Sequence, residues 1–163
     1  MKIFCLTISI AVFLLVLLNG LQAQTTQTKL NQIELMKQFI GSWKIDLGKD
    51  TTGFWECKPF GTGLEGYLKN VTKGKILMEV KQLVGYDKKI DKYVNATLTE
   101  KDIKIRALWF TSNNKYIEVS YSDIANSDIA SPILEGEFKS HNEFVETVIK
   151  NGKVITYDYK RVK

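Results

Sequence analysis

Histidine is nearly absent: the 163 residues hold one, His141, inside the turn signal "KSHN". A Ser-His-Asp constellation or a multi-histidine metal site therefore cannot be built. Cysteine is almost as scarce. Cys5 lies in an apolar leader and Cys57 in "FWECKPF", so a chain that loses its leader has no internal disulfide and must be held by its core. Cys57 alternates with Trp55, as a half-buried strand thiol would. A reactive or dimer-forming thiol needs adjacent positive charge, and its neighbour Lys58 falls on the opposite strand face. No basic cluster or stripe is present, which argues against nucleic acid as a partner, and no linker divides the chain into two domains.

What is present begins with "MKIFCLTISIAVFLLVLLNGLQAQ". One lysine, an unbroken apolar run over about 3–18 and small or polar residues up to Ala23 read as a secretory signal peptide cut between Ala23 and Gln24. The run falls short of the ~20 residues that span a bilayer. Cys5 precedes the apolar core, where a lipid-accepting cysteine would follow it, so no stable membrane anchor is expected. The protein is expected to be secreted or periplasmic. Residues 24–163 would then form one domain of 140 residues, with 22 basic against 18 acidic side chains. A mild excess of this kind, with lysines alternating against apolar residues, suits a solvated strand face.

In "LNQIELMKQFI", Leu30, Ile33, Met36, Phe39 and Ile40 share one broad helical face. Gly41 ends that helix. From Trp43 onward the apolar period changes from about 3.6 to 2. Strands are predicted at the start of this pattern and at 54–59, 64–71, 76–86, 92–98, 103–111, 116–121, 133–138, 144–149 and 154–162. Short turn signals separate them, among them Asn151-Gly152, a strong two-residue hairpin signal. Connections this short forbid parallel crossovers. The reading is an all-β domain: a single antiparallel up-and-down barrel of about 8–10 strands, closed on itself because closure removes exposed edges, with one short N-terminal helix over one end.

A short helix, then Gly41-Ser42-Trp43 opening the first strand, then a meander ending in the arginine-bearing "TYDYKRV", resembles the lipocalin and fatty-acid-binding (calycin-like) superfamily. It is most similar to small secreted bacterial lipocalin-like domains. The resemblance implies that Trp43 packs under a basic residue of the last strand, Arg161, so that Gly41, Trp43 and Arg161 close one end; a direct role of Trp43 and Arg161 in ligand binding is the alternative. It also implies an interior that binds a small molecule. Fatty-acid-binding proteins carry an Arg-x-Tyr pair on the last strand, whereas this chain has Tyr159-x-Arg161. Haem held by one wall histidine, as in some barrels, does not suit a histidine in a turn.

Strand alternation places Ile155, Tyr157, Tyr159 and Arg161 on the inward face of the last strand. Two hydroxyls and a guanidinium on an apolar wall suit a ligand with a carboxylate or other acceptor. If Arg161 is taken up by Trp43, a neutral apolar guest is expected instead. The same alternation groups Ile76, Met78, Val80, Gln82 and Val84 on the longest strand and Ile103, Ile105, Ala107 and Trp109 on another. Gln82, Met78 and Trp109 thus join Tyr157, Tyr159 and Arg161 as candidate ligand-binding residues, although Gln82 can equally bond a neighbour and Met78 and Trp109 can be plain core. Glu135 and Glu137 flank Gly136 on one face, spaced for a cation or for solvation. The loop 122–131 lacks the spacing and glycine of a calcium loop, and reads as a flap over the mouth or as an insertion.

Three functions fit. The first is a carrier of a small apolar or amphiphilic molecule. The second is a structural or protein-interaction module with a filled interior, and the third a barrel enzyme using tyrosines, arginine and a carboxylate. No residue pattern calls for a cofactor or a metal.

Overall fold

The computed structural model describes residues 29–122, 132–150 and 152–162. The apolar leader, and the 122–131 loop beyond Ser122, lie outside these residues. A helical turn, α1 (Gln32–Met36), runs into a 3-10 turn (Lys37–Phe39). Ten strands follow: β1 (Gly41–Asp46), β2 (Thr51–Phe60), β3 (Gly63–Thr72), β4 (Lys75–Asp87), β5 (Lys92–Leu98), β6 (Ile103–Phe110), β7 (Lys115–Ser120), β8 (Leu134–Ser140), β9 (Glu143–Lys150) and β10 (Lys153–Arg161). Each pairs antiparallel with the next, and β10 returns to β1 to close the barrel. The expected up-and-down barrel with one short helix is the architecture found.

The helix is shorter than its periodicity predicts, and it docks differently. Met36 and Phe39 are buried as expected, but Ile33 is 42% exposed and Gln32 is buried in its place. Gln32 acts as a false strand residue: its Nε2 donates to the Phe110 carbonyl at 3.0 Å and its Oε1 accepts from the Phe110 N–H at 2.7 Å. Satisfying both backbone groups at the end of β6 removes the cost of burying them unpaired. Asn31 caps the helix start, its side chain accepting from the Glu34 N–H at 3.2 Å.

Inside the barrel the two halves differ. Toward the helix, Phe39 is the hub of an aromatic cluster, with ring centroids 5.0 Å from Tyr116, 5.0 Å from Phe138 and 5.7 Å from both Trp55 and Phe144. Edge-on contacts of this kind add to the area they bury. Toward the other end the interior is not filled. The up-and-down topology gathers the β3–β4, β5–β6 and β9–β10 turns there, and these carry exposed Ile76, Leu77, Leu98, Ile103, Ile149 and Val154.

Two expected facings are corrected. Ile76 does not share the face of Val80 and Gln82. Asn70 pairs with Met78 but Val71 with Ile76, so Leu77 is an extra residue in a bulge. A bulge shifts register by one and turns the preceding side chain to the other face. On β6 the inward residues are Lys104, Arg106, Leu108 and Phe110, which leaves Ile103, Ile105, Ala107 and Trp109 outside. Both faces of this strand carry apolar residues, so alternation alone does not choose between them. Trp109 is instead covered by Lys92, whose Nζ lies 3.8 Å from the ring centroid.

Candidate functional site

The closed end explains the Gly-x-Trp sequence. Trp43 opens β1 opposite Arg161 of β10 and Trp55 of β2 and is 1% exposed. Its Nε1 donates to the Phe39 carbonyl at 2.8 Å, its ring meets Phe144 edge-on at 4.7 Å, and the Arg161 guanidinium lies 4.1 Å from its centroid. Each nitrogen of the Arg161 guanidinium donates to a backbone carbonyl. Nε donates to the His141 carbonyl at 3.0 Å, Nη2 to that of Gln38 at 3.1 Å and Nη1 to that of Ile40 at 2.5 Å. One planar fork thus ties the helix exit and the β8–β9 turn to the last strand. Gly41 has φ +138°, and a Cβ there would overlap Arg161. Glycine is present both for its backbone angle and for the room it leaves the guanidinium.

Above the aromatic floor lies a cavity of about 280 Å³. Met36, Phe39, Leu64, Leu68, Val80, Val84, Leu108 and Leu134 give it an apolar wall, and Gln82, Asn95, Arg106, Glu118, Glu146 and Tyr159 bring polar groups into it. Lys104, Thr97 and Thr99 stand toward the β5–β6 turn. Cys57 also lines it, and burial pushes its thiol up to about 12, so it is a packing residue rather than a nucleophile.

The polar groups form two linked clusters. Glu118 of β7 accepts from Arg106 Nη1 at 2.9 Å through one oxygen and from Asn95 Nδ2 at 2.9 Å through the other. Glu146, midway along β9, accepts from the Tyr116 hydroxyl at 2.8 Å on one oxygen and from the Tyr159 hydroxyl at 2.6 Å on the other. Tyr116 reaches it because Gly136 of β8, the direct neighbour of both Tyr116 and Glu146, has no side chain in the way. Glu146 is half-buried and borders the cavity. Burial pushes its carboxyl up to about 7 against the opposing pull of the two tyrosine hydrogen bonds; Glu118 raises it further and Arg106 lowers it. Both tyrosine hydroxyls are held well above their usual range, chiefly by burial and then by the Glu146 charge.

This carboxyl makes stability depend on pH. With its native value near 7 and its free value at 4.5, the folded state holds a proton that the unfolded chain has lost. The contribution is complete below about 4.5 and fades as pH rises through about 7, a swing of about 3 kcal/mol. Urea unfolding across that range is expected to show Glu146→Gln gaining on the wild type by this amount as pH rises. A constant difference between the two would remove Glu146 as the cause.

Of the six candidate ligand-binding residues, Tyr159 and Gln82 line the cavity. Gln82 Oε1 accepts from Trp55 Nε1 at 3.0 Å, the satisfied arrangement that a buried amide requires. Tyr157 faces inward opposite Glu146 but does not border the cavity, Met78 is 37% exposed near the mouth, Trp109 is outside, and Arg161 belongs to the closed end. Glu137 pairs with Lys139 at 2.7 Å on the outer face beside exposed Glu135, and no metal-holding cluster of His, Cys, Asp or Glu exists among the described residues. Sequence reading missed Arg106, Tyr116, Glu118 and Glu146. The signal available was one charge within each of the apolar runs "FVETV" and "YIEVS".

Among the described residues no helix is long and apolar enough to cross a membrane. No protein-family model, curated protein or solved structure matches the chain.

Proposed function

We propose that the protein is a lipocalin-like carrier that holds a small apolar or amphiphilic molecule inside the barrel. The observation that carries this reading is the cavity: about 280 Å³ with an apolar wall and a few convergent polar groups, the composition common to small-molecule sites. An apolar cavity of about 150 Å³ takes benzene, so a guest of one to three rings, or a short alkyl chain, suits the space. Exposed Ile76, Leu77, Ile103 and Val154 at the open end give such a guest an apolar approach. The engagement of Arg161 elsewhere turns the expectation from a fatty acid toward a guest without an acidic head.

The neutral fluorophore N-phenyl-1-naphthylamine is expected to bind saturably to the wild type at one site. Leu68→Trp, which fills the cavity, should abolish that binding while far-ultraviolet circular dichroism stays unchanged. Binding that survives the filled cavity would place the probe on the outside. That outcome would favour a protein-interaction module using Leu83, Ala96 and Ile105, aligned across the outer face of β4–β6.

The proposal includes export, on the strength of the apolar leader and Leu21-Gln22-Ala23. Mass spectrometry of the protein made in a secreting host is expected to find Gln24 as the first residue, in a fraction outside the cytoplasm. The intact N-terminus in a membrane fraction would overturn it.

A further inference from the structure

Glu146 is a carboxyl inside the barrel with two phenol donors and, among the described residues, no ion-pair partner. A carboxylate offers about four lone-pair sites, and two tyrosines occupy one on each oxygen, which leaves acceptor capacity on a residue that borders the cavity. The one guanidinium nearby, Arg106, is turned to Glu118. Among the described residues, the charged or titratable groups around Glu146 and its cavity are Cys57 from β2, Tyr116 and Glu118 from β7, Arg106 and Lys104 from β6, and Tyr157 and Tyr159 from β10. Gly136 of β8 and Trp55 of β2 bring no charge. With both carboxylates ionised and Arg106 positive, the inner cluster is left one charge negative, and Lys104 stands at the mouth, half-exposed and paired with Asp102 at 3.5 Å.

We propose that the cavity selects a basic amphiphile, an apolar body bearing a protonated amine whose N–H groups bind the free side of the Glu146 carboxylate. This rests on the carrier reading and names its ligand class. An ammonium supplies the missing counter-charge and a charge-assisted hydrogen bond, about twice as strong as a neutral one. An alcohol donates to the same carboxylate but brings no counter-charge. A carboxylic acid adds a third acidic group beside Glu118 and Glu146. Because burial holds the Glu146 carboxyl near about 7, an ammonium arriving at neutral pH drives a proton off it, and the cation replaces that proton.

The test displaces N-phenyl-1-naphthylamine from the wild type with octylamine, octan-1-ol or octanoate. Near about pH 8, octylamine is expected to bind at least about ten-fold more tightly than octan-1-ol, because only the amine brings a counter-charge to the ionised carboxylate, with octanoate weakest. That advantage should shrink near about pH 5, where Glu146 is protonated. Glu146→Gln, checked for folding by its melting curve, should lose the amine advantage at high pH and leave octan-1-ol nearly unaffected. Calorimetry of the wild type at neutral pH, in two buffers of different ionisation heat, should show protons released by octylamine and none by octan-1-ol; this arm does not need the variant to fold. Octanoate matching octylamine, an amine preference that survives Glu146→Gln, or no proton release would each overturn the proposal while leaving the carrier reading intact. Failure of the fluorophore to enter the folded wild type would overturn both.

Discussion

Trp43→Ala is expected to cost about 3–5 kcal/mol of folding stability and to lower the melting temperature by roughly 10–20 °C. The indole is fully enclosed, donates a hydrogen bond to the Phe39 carbonyl, and lies between Phe144 and the Arg161 guanidinium. Truncation removes a large buried surface and strips one face from Arg161 while its carbonyl bonds hold it in place. The space cannot collapse easily, because Phe39 and Phe144 are pinned by their own neighbours. Thermal melts followed by near-ultraviolet circular dichroism measure the effect. An unchanged melt together with lost binding of the fluorophore would mean that Trp43 serves the ligand rather than the fold.

Gly136→Val is expected to cost about 4 kcal/mol or more, the range reached when a core is overfilled with no route to relax. A Cβ at Gly136 would overlap the Tyr116 ring. That ring is 1% exposed, lies 5.0 Å from Phe39, and carries the hydroxyl that donates to Glu146. Any side chain at 136 therefore evicts Tyr116, breaking the aromatic hub and removing one of the two donors to a buried carboxyl. A double-mutant cycle isolates the cause. Gly136→Ala should be strongly destabilising alone and nearly neutral when Tyr116→Ala has already vacated the space. Additive effects of the two would show that the glycine is needed for its backbone and not for the ring.

Legibility followed pattern strength. The ten strands were readable because period-two alternation and turn residues agree along almost the whole chain, and closure followed from a meander with no other way to hide its edges. The inward face of β10 was readable because lysine, aspartate and threonine alternate with aromatic residues. The facing of Ile76 at the start of β4 and the faces of β6 were not. On β4 a single extra residue at Leu77 inverts the pattern, and nothing in "KILMEV" marks it. On β6 the inner face carries Lys104 and Arg106, while the outer face carries Ile103 and Ile105. The rule that apolar residues point inward fails where the interior holds a polar cavity. Glu146 was missed for the same reason, since its meaning comes from Tyr116 and Tyr159, which lie 30 and 13 residues away in sequence.

The seam between β1 and β10 has a consequence for how the chain folds. It is joined by three residue pairs, against ten between β2 and β3, and the Arg161 bond to Ile40 spans 121 residues. Closing so long a loop carries an entropic cost that local hairpins do not. The hairpins from β1 to β10 can assemble from neighbouring contacts, but the seam requires both extremes of the sheet to be in place. Until then β1 and β10 each present an open edge, which is a template for pairing with another chain. Arg161, bonded to the Gln38, Ile40 and His141 carbonyls, clamps that seam once it has closed.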